Sequence, residues 1–248
     1  MNTQTHSRPV AIVTGGSRGI GAAISERLTV DGYAVVINYA GRRDDAVALA
    51  SRLVAQGGEA VALQADVSDP DAVQRLFDAT EARYGGVDAL VNNAGVMDLA
   101  PVAQIDDAAF DRLVAINLKG SFNGMREAAH RLRSGGRIIN FSSSVIGLRL
   151  ETYGAYSATK AAVEALTTVL SRELRGRSIT VNAVAPGPTA TDLFLEGKSP
   201  ELIERMAKMN PLERLGTPAD IAEVVSFLAG PQGGWINGQV IRANGGMV

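Results

Sequence analysis

Seven short apolar runs alternate with longer helical stretches along nearly the whole chain, and this alternation constrains the fold more than any other feature. The runs are residues 10–13, 33–39, 60–65, 87–91, 136–141, 178–184 and 238–243. They are too short for helices and lack strict polar alternation, so they read as strands covered on both faces. Between them, residues 22–30, 45–56, 70–84, 106–133, 153–175 and 218–228 carry helical patterning, several opened by capping residues such as Asp69 and Thr217. Strands separated by helices predict a doubly wound parallel α/β sheet with helices on both faces. A chain of 248 residues with no internal repeat or linker predicts one domain over 1–248. Residues 1–8 are expected to be flexible, and 192–210 to be a helical insertion broken at Gly197 and Pro200.

The first strand opens onto Thr14-Gly15-Gly16-Ser17-Arg18-Gly19-Ile20-Gly21, then a helix. Strand, glycine turn and helix is the context of a phosphate-binding loop: glycines let the backbone approach a pyrophosphate, and the helix start offers unpaired N–H groups. The spacing is Gly-x-x-x-Gly-x-Gly rather than the common dinucleotide fingerprint. A site preferring NAD would place an acid near the end of the second strand to hold the ribose 2′-hydroxyl. Here Asn38-Tyr39-Ala40-Gly41 ends that strand, with Arg42 and Arg43 behind it and Arg18 in the glycine loop. Those cations predict NADP(H) over NAD(H).

The stretch 142–160 carries the chemistry. Tyr156 and Lys160 stand four apart at the start of a helix, side by side on one face. A free phenol has a pKa of about 10, and a nearby ammonium stabilises its anion, making it a usable acid or base near neutrality. Ser142, Ser143 and Ser144 end the fifth strand, where a hydroxyl can reach a substrate oxygen.

Composition excludes other classes. The net charge is −2, from 24 Lys and Arg against 26 Asp and Glu, so nothing marks a nucleic-acid or anionic-membrane partner. No apolar run approaches the ~20 residues of a membrane helix. The start of the chain is polar without a signal-peptide core, which predicts a cytoplasmic protein. Cysteine is absent, excluding thiolate chemistry and zinc–sulfur sites, and His6 and His130 form no metal cluster.

Together these motifs resemble the short-chain dehydrogenase/reductase family over nearly the whole chain, most of all its 3-oxoacyl-[acyl-carrier-protein] reductase-like members. The resemblance rests on the glycine loop, on Asn92-Asn93-Ala94-Gly95 after strand four, on Asn117, Ser143, Tyr156 and Lys160 in order, and on Pro186-Gly187 after strand six. It implies a Rossmann-type fold and hydride transfer between a nicotinamide and a ketone or secondary alcohol. Tyr156 would be the general acid/base. Lys160 would lower its pKa and bind the nicotinamide ribose, Ser143 would orient the substrate oxygen, and Asn117 would hold a water relaying protons to Lys160. Gly15, Ser17, Arg18, Gly19, Ile20, Gly21, Tyr39 and Ala40 would hold the cofactor with Asp66 and Val67 at the adenine. Asn93, Ala94, Gly95, Pro186, Gly187, Thr189 and Thr191 would line it further on. Counting back from Val145-Ile146-Gly147 would favour Ser144, but Ser143 stands thirteen residues before Tyr156, the family interval, and seven after Gly136 at the strand start, and both counts select Ser143. Asn244 replaces an Asp common among relatives, at a region usually found between subunits, and is expected to leave the chemistry untouched.

The partner implied is a small carbonyl or alcohol, with Met97, Val145, Tyr153, Phe194 and Leu195 expected to wall an apolar pocket. No basic patch for an acyl carrier protein is evident. The alternatives are an NAD-dependent alcohol dehydrogenase of the same fold and a non-catalytic nucleotide-binding sensor. In the family two long helices and the last strands pack against symmetry mates. The small residues of 153–175 and the apolar stretch 235–241 fit the same homotetramer.

Overall fold

The computed structural model of the protein describes residues 8–248, so the flexibility expected of 1–8 falls, Arg8 apart, outside the described residues. The seven apolar runs pair as one parallel sheet. Its strands are β1 (Val10–Val13), β2 (Ala34–Tyr39), β3 (Glu59–Gln64), β4 (Val87–Asn92), β5 (Leu132–Phe141), β6 (Thr180–Pro186) and β7 (Val240–Ala243). They lie in the order β3-β2-β1-β4-β5-β6-β7. The order reverses between β1 and β4, where a doubly wound sheet leaves a crevice at its carboxyl edge.

Alternate residues of β1 explain the layers. Ala11 and Val13 pack with β2 residues Val35 and Ile37 beneath α1 (Gly19–Val30), α2 (Arg43–Ala55) and α10 (Pro218–Ala229). Ile12 and Val36 point the other way, towards α3 (Pro70–Tyr84), α5 (Gly120–Arg131) and α7 (Gly154–Glu173). A strand shows opposite faces to successive residues, so a run apolar throughout needs a helical layer on each side. Both expected caps form: Asp69 accepts from Asp71 N ahead of Pro70, and Thr217 and Asp220 make a reciprocal capping box.

Three expectations need correction. The helix expected over 106–133 is interrupted: α4 (Asp107–Leu113) passes through a π-helical turn, Val114–Lys119, before α5. Residues 132–133, placed in that helix by the pattern, begin β5 instead. The expected start of strand six at 178 fails because Ser178 has φ 55, a left-handed conformation that breaks extended pairing. The insertion at 192–210 holds two short helices, α8 (Asp192–Leu195) and α9 (Pro200–Ala207), separated at Gly197, φ 73, and Pro200. A single turn, α6 (Val145–Leu148), had no sequence signal.

Candidate active site

The cleft at the strand reversal begins with the glycine loop. Gly15 and Gly19 have φ 59 and 51, a region side chains disfavour. A Cβ on Gly21 would lie 2.2 Å from Gly15 O and 2.6 Å from Asn93 Nδ2, so only glycine lets α1 start this close to its own loop. The first turn of α1 carries no acid, and no side chain caps its amides. A cradle that Cβ atoms would fill, facing uncapped helix amides, fits a pyrophosphate.

Neighbouring strand ends hold this loop rigidly. Thr14 Oγ1 accepts from the amides of Asn93 and Ala94 at 3.0 and 3.1 Å, while Asn93 Nδ2 donates to the carbonyls of Thr14 and Gly15 at 3.0 and 3.1 Å. Asn93 therefore borders the cleft with its amide nitrogen committed to the protein. Asn38 accepts from Gly16 N through its backbone carbonyl at 2.9 Å and donates through Nδ2 to Ala65 O at 3.0 Å. The sequence reading missed its role, although a buried amide ending an apolar strand was the available signal. Beyond it, Tyr39 is buried, Ala40 and Gly41 are open, and the exposed Arg18 and Arg42 border the cleft. Arg42 meets Asp45 at 3.5 Å, with both side chains well exposed. Asp66 Oδ1 accepts from Ser68 N and Ser68 Oγ, fixing the turn after β3.

Every residue expected to hold the cofactor or carry the chemistry borders this one cleft except Asn117. Asn117 lies in the π turn, fully buried behind the wall. Its Oδ1 accepts from Val96 N at 2.8 Å, and its Nδ2 donates to Val96 O at 2.9 Å. An extra residue in a helical turn is a recurrent device at functional sites. Here the π turn brings an amide against the strand-four loop, setting Gly95 between Asn117 and Lys160.

The three serines separate by their bonds. Ser142 Oγ donates to Glu164 Oε1 at 2.5 Å, and Ser144 Oγ donates to Ala185 O at 3.0 Å. Ser143 is half-buried, borders the cleft together with Tyr156, and accepts at Oγ from Val145 N at 3.5 Å. The two alternatives for the substrate-facing serine are therefore unequal in geometry: the Ser144 hydroxyl gives its proton to Ala185 O and accepts from Asn244 Nδ2 at 2.9 Å, while the half-buried Ser143 borders the cleft beside Tyr156.

Lys160 is buried and donates from Nζ to Phe141 O at 2.9 Å, with Nζ 5.8 Å from the centre of the Tyr156 ring. Burial pushes Lys160 down to about 8. Burial also pushes Tyr156 up to about 12, opposed by the Ser143 hydrogen bond and reinforced by Tyr153. Lys160 is not among the groups that shift Tyr156 here; its Nζ is hydrogen-bonded to the Phe141 carbonyl and lies 5.8 Å from the centre of the ring. Desolvation then dominates both groups and drives each towards its neutral form.

At the other end of the cleft from the arginines the walls turn apolar. Met97, Val145, Tyr153 and Phe194 stand where expected; Leu195 does not, and Leu148, Leu150, Leu193 and Met206 complete the surface. Leu195 fails because α8 is a single turn that presents Leu193 and Phe194 instead. Among the described residues no cluster of metal-ligating side chains occurs and no helix is long and apolar enough to cross a membrane.

Residues 15–248 match the family model described as Enoyl-(Acyl carrier protein) reductase. The chain is 47% identical to a short-chain type dehydrogenase/reductase of Picea abies over 249 residues, covering 96% of this chain and 92% of that one. It is 44% identical to an Arabidopsis thaliana protein named NADPH-dependent aldehyde reductase-like protein, chloroplastic, covering 96% and 94%. Among solved structures, the angucycline C-6 ketoreductase LanV with bound NADP superposes with a TM-score of 0.91 at 38% identity, covering 96% of this chain and 95% of that one. With a fold, a glycine cradle and relatives that agree over nearly its whole length, the chain belongs to the short-chain dehydrogenase/reductase family of oxidoreductases.

Proposed function

We propose that the protein is an NADPH-dependent reductase of a neutral, apolar ketone or aldehyde, able to run the reverse oxidation of the matching alcohol. The observation that carries this reading is that Ser143, Tyr156 and the buried Lys160 border one cleft that begins in a phosphate cradle and is walled further on by apolar side chains. The names of the Arabidopsis relative and of LanV agree with it.

The glycine loop and the start of α1 would hold the pyrophosphate, and Arg18, Ser17 and Arg42 the 2′-phosphate; Tyr39, Ala40 and Gly41 present no carboxylate to repel it. When bound, the nicotinamide supplies or takes the hydride. Ser143 donates a hydrogen bond to the carbonyl oxygen, and Tyr156 delivers a proton to that oxygen as charge builds there. Lys160 keeps an ammonium beneath the tyrosine and offers it to the ribose hydroxyls. Asn117 holds Val96 and Gly95 against Lys160, and its Oδ1 keeps a second lone pair for a relay water.

Apart from Arg18 and Arg42 at the cofactor rim, the charged side chains that line the cleft are Asp66, Lys160 and Asp192. Lys198 sits over the Phe194 ring and donates to Phe194 O. That surface disfavours an anionic carbonyl compound or an acyl-carrier thioester. A panel of neutral and carboxylate-bearing ketones, read by NADPH oxidation at 340 nm, tests the proposal: turnover of the neutral members is expected, and no oxidation with any carbonyl compound would overturn it. Location in the cytoplasm and assembly as a homotetramer belong to the same reading.

A further inference from the structure

Asn244 stands directly behind the serine loop. Its Nδ2 donates to Ser144 Oγ at 2.9 Å, and Ser144 Oγ donates its own proton to Ala185 O at 3.0 Å. An amide nitrogen only donates, so this pairing fixes the direction of the hydroxyl. On its other side Asn244 Oδ1 accepts from the amides of Gly246 and Met247 at 3.0 and 3.2 Å. Gly245 and Gly246 have φ 68 and 86, so the chain turns back on itself here. The approach depends on Gly187, where a Cβ would lie 2.9 Å from both Cα and Cβ of Asn244.

The turn touches both walls of the substrate end. Val248 packs on Gly147 of α6, where a Cβ would sit 3.1 Å from the valine side chain. Gly245 presses on Asn210 just past α9, where a Cβ would meet Oδ1 at 2.5 Å. Residues 244–248 therefore connect the serine loop and α6 on one side to the segment that carries Met206 on the other. Asn244 itself does not border the cleft.

We infer that Asn244 is a positioning residue for the reaction: through Ser144 it fixes the loop that presents Ser143, and with residues 245–248 it holds the two substrate walls at one spacing. This rests on the role given to Ser143 above. A positioning fault costs transition-state contact and spares cofactor affinity, so it separates kcat from binding.

The test compares Ser143→Ala, Ser144→Ala, Asn244→Ala, Asn244→Asp and the double variant Ser144→Ala/Asn244→Ala in the full chain. Measured are kcat and KM for one neutral ketone and Kd for NADPH. Asn244→Ala is expected to lower kcat about tenfold with Kd for NADPH within twofold. Asn244→Asp keeps the acceptor for both tail amides and can hold Ser144 by taking the proton that Ser144 now gives to Ala185 O, so it should recover at least a third of the wild-type kcat. The double variant should be no worse than the poorer single one, because both remove the same link. An Asn244→Ala kcat within twofold of wild type, or losses that multiply in the double variant, would overturn the inference. If Asn244→Ala does not fold, Ser144→Ala and Asn244→Asp decide: wild-type kcat in the first, or loss of NADPH affinity in parallel with kcat in the second, overturns it equally. A crippled Ser143→Ala beside an unaffected Asn244→Ala defeats this inference alone. Full activity in Ser143→Ala defeats the Ser143 assignment and this inference with it.

Discussion

Burial disfavours the charged form of Tyr156 and of Lys160 alike, and neither shift is relieved by the other group. Tyr156, pushed up to about 12, stays protonated across the working range and is ready to give a proton. Lys160, pushed down to about 8, loses its ammonium as pH rises through that value. Reduction is therefore expected to be flat below about pH 8 and to decline above it, the apparent value belonging to the coupled pair; an initial-rate profile that is flat from pH 7 to 10 would contradict this. The same depression has a stability consequence. Between pH 8 and the ordinary lysine value of 10.5 the unfolded chain holds a proton that the folded one has released, so folding gains stability as pH rises there. Below 8 the full cost of the buried ammonium persists. Lys160→Met should lose activity yet melt higher than wild type at pH 7, by an increment that shrinks towards pH 10, readable by thermal unfolding at each pH. Tyr156→Phe, which removes only the proton, should cut turnover by at least ~10²-fold with NADPH affinity nearly unchanged. Ser143→Ala should hurt far more than Ser144→Ala, since Ser144 is bound to Ala185 and Asn244 while Ser143 borders the cleft beside Tyr156.

At the scale of elements, the glycine loop and the start of α1 work as one piece. Gly21→Ala drives a methyl into Gly15 O, a backbone atom that cannot step aside. Such overpacking costs about 1–3 kcal/mol and would move the cradle itself, so NADPH affinity is expected to fall by tenfold or more; an unchanged dissociation constant by fluorescence titration would count against the cradle. The rim of the cleft at β2 decides between cofactors. A charge-assisted contact is worth about 1.5–3 kcal/mol, so NADPH should bind at least tenfold tighter than NADH, and Arg18→Ala should narrow the gap. Placing Asp at Ala40 should narrow it further by repelling the 2′-phosphate. Equal affinities in the unmodified protein would leave only the fold and the tyrosine chemistry standing. The glycine loop was legible in the sequence because turn chemistry is local. The π turn was not: residues 114–119 carry ordinary helix formers, and the extra residue is placed by Asn117 reaching Val96, a partner twenty-one positions away.

At the scale of the molecule, apolar side chains stay exposed at two places, among others, on the described residues. One joins α5 and α7, where Phe122, Ala161, Ala165 and Val169 are exposed; the other gathers Phe227 of α10 and Trp235, whose side chain is 98% exposed. Two such surfaces on one chain suit a closed assembly with two kinds of two-fold contact. A tetrameric mass by light scattering at micromolar concentration is expected, falling to a dimer when Phe122 and Val169 are both changed to Glu; a monomer in the unmodified protein would refute it. The sequence by itself determined the parallel sheet, its helical layers, the glycine cradle and the Tyr156–Lys160 pair, because strand and helix periods, turn glycines and a four-residue helical spacing are properties of neighbouring residues. Only the tertiary structure decided that Ser142 and Ser144 are bound to Glu164, Ala185 and Asn244, that Asn93 and Asn38 hold the loop, and that Leu195 leaves the substrate wall. Each of these depends on hydrogen bonds or packing between residues far apart along the chain, and the directions of Lys160 and Tyr156 depend on burial. Burial is a sum over every element packed around a group, which no local pattern records.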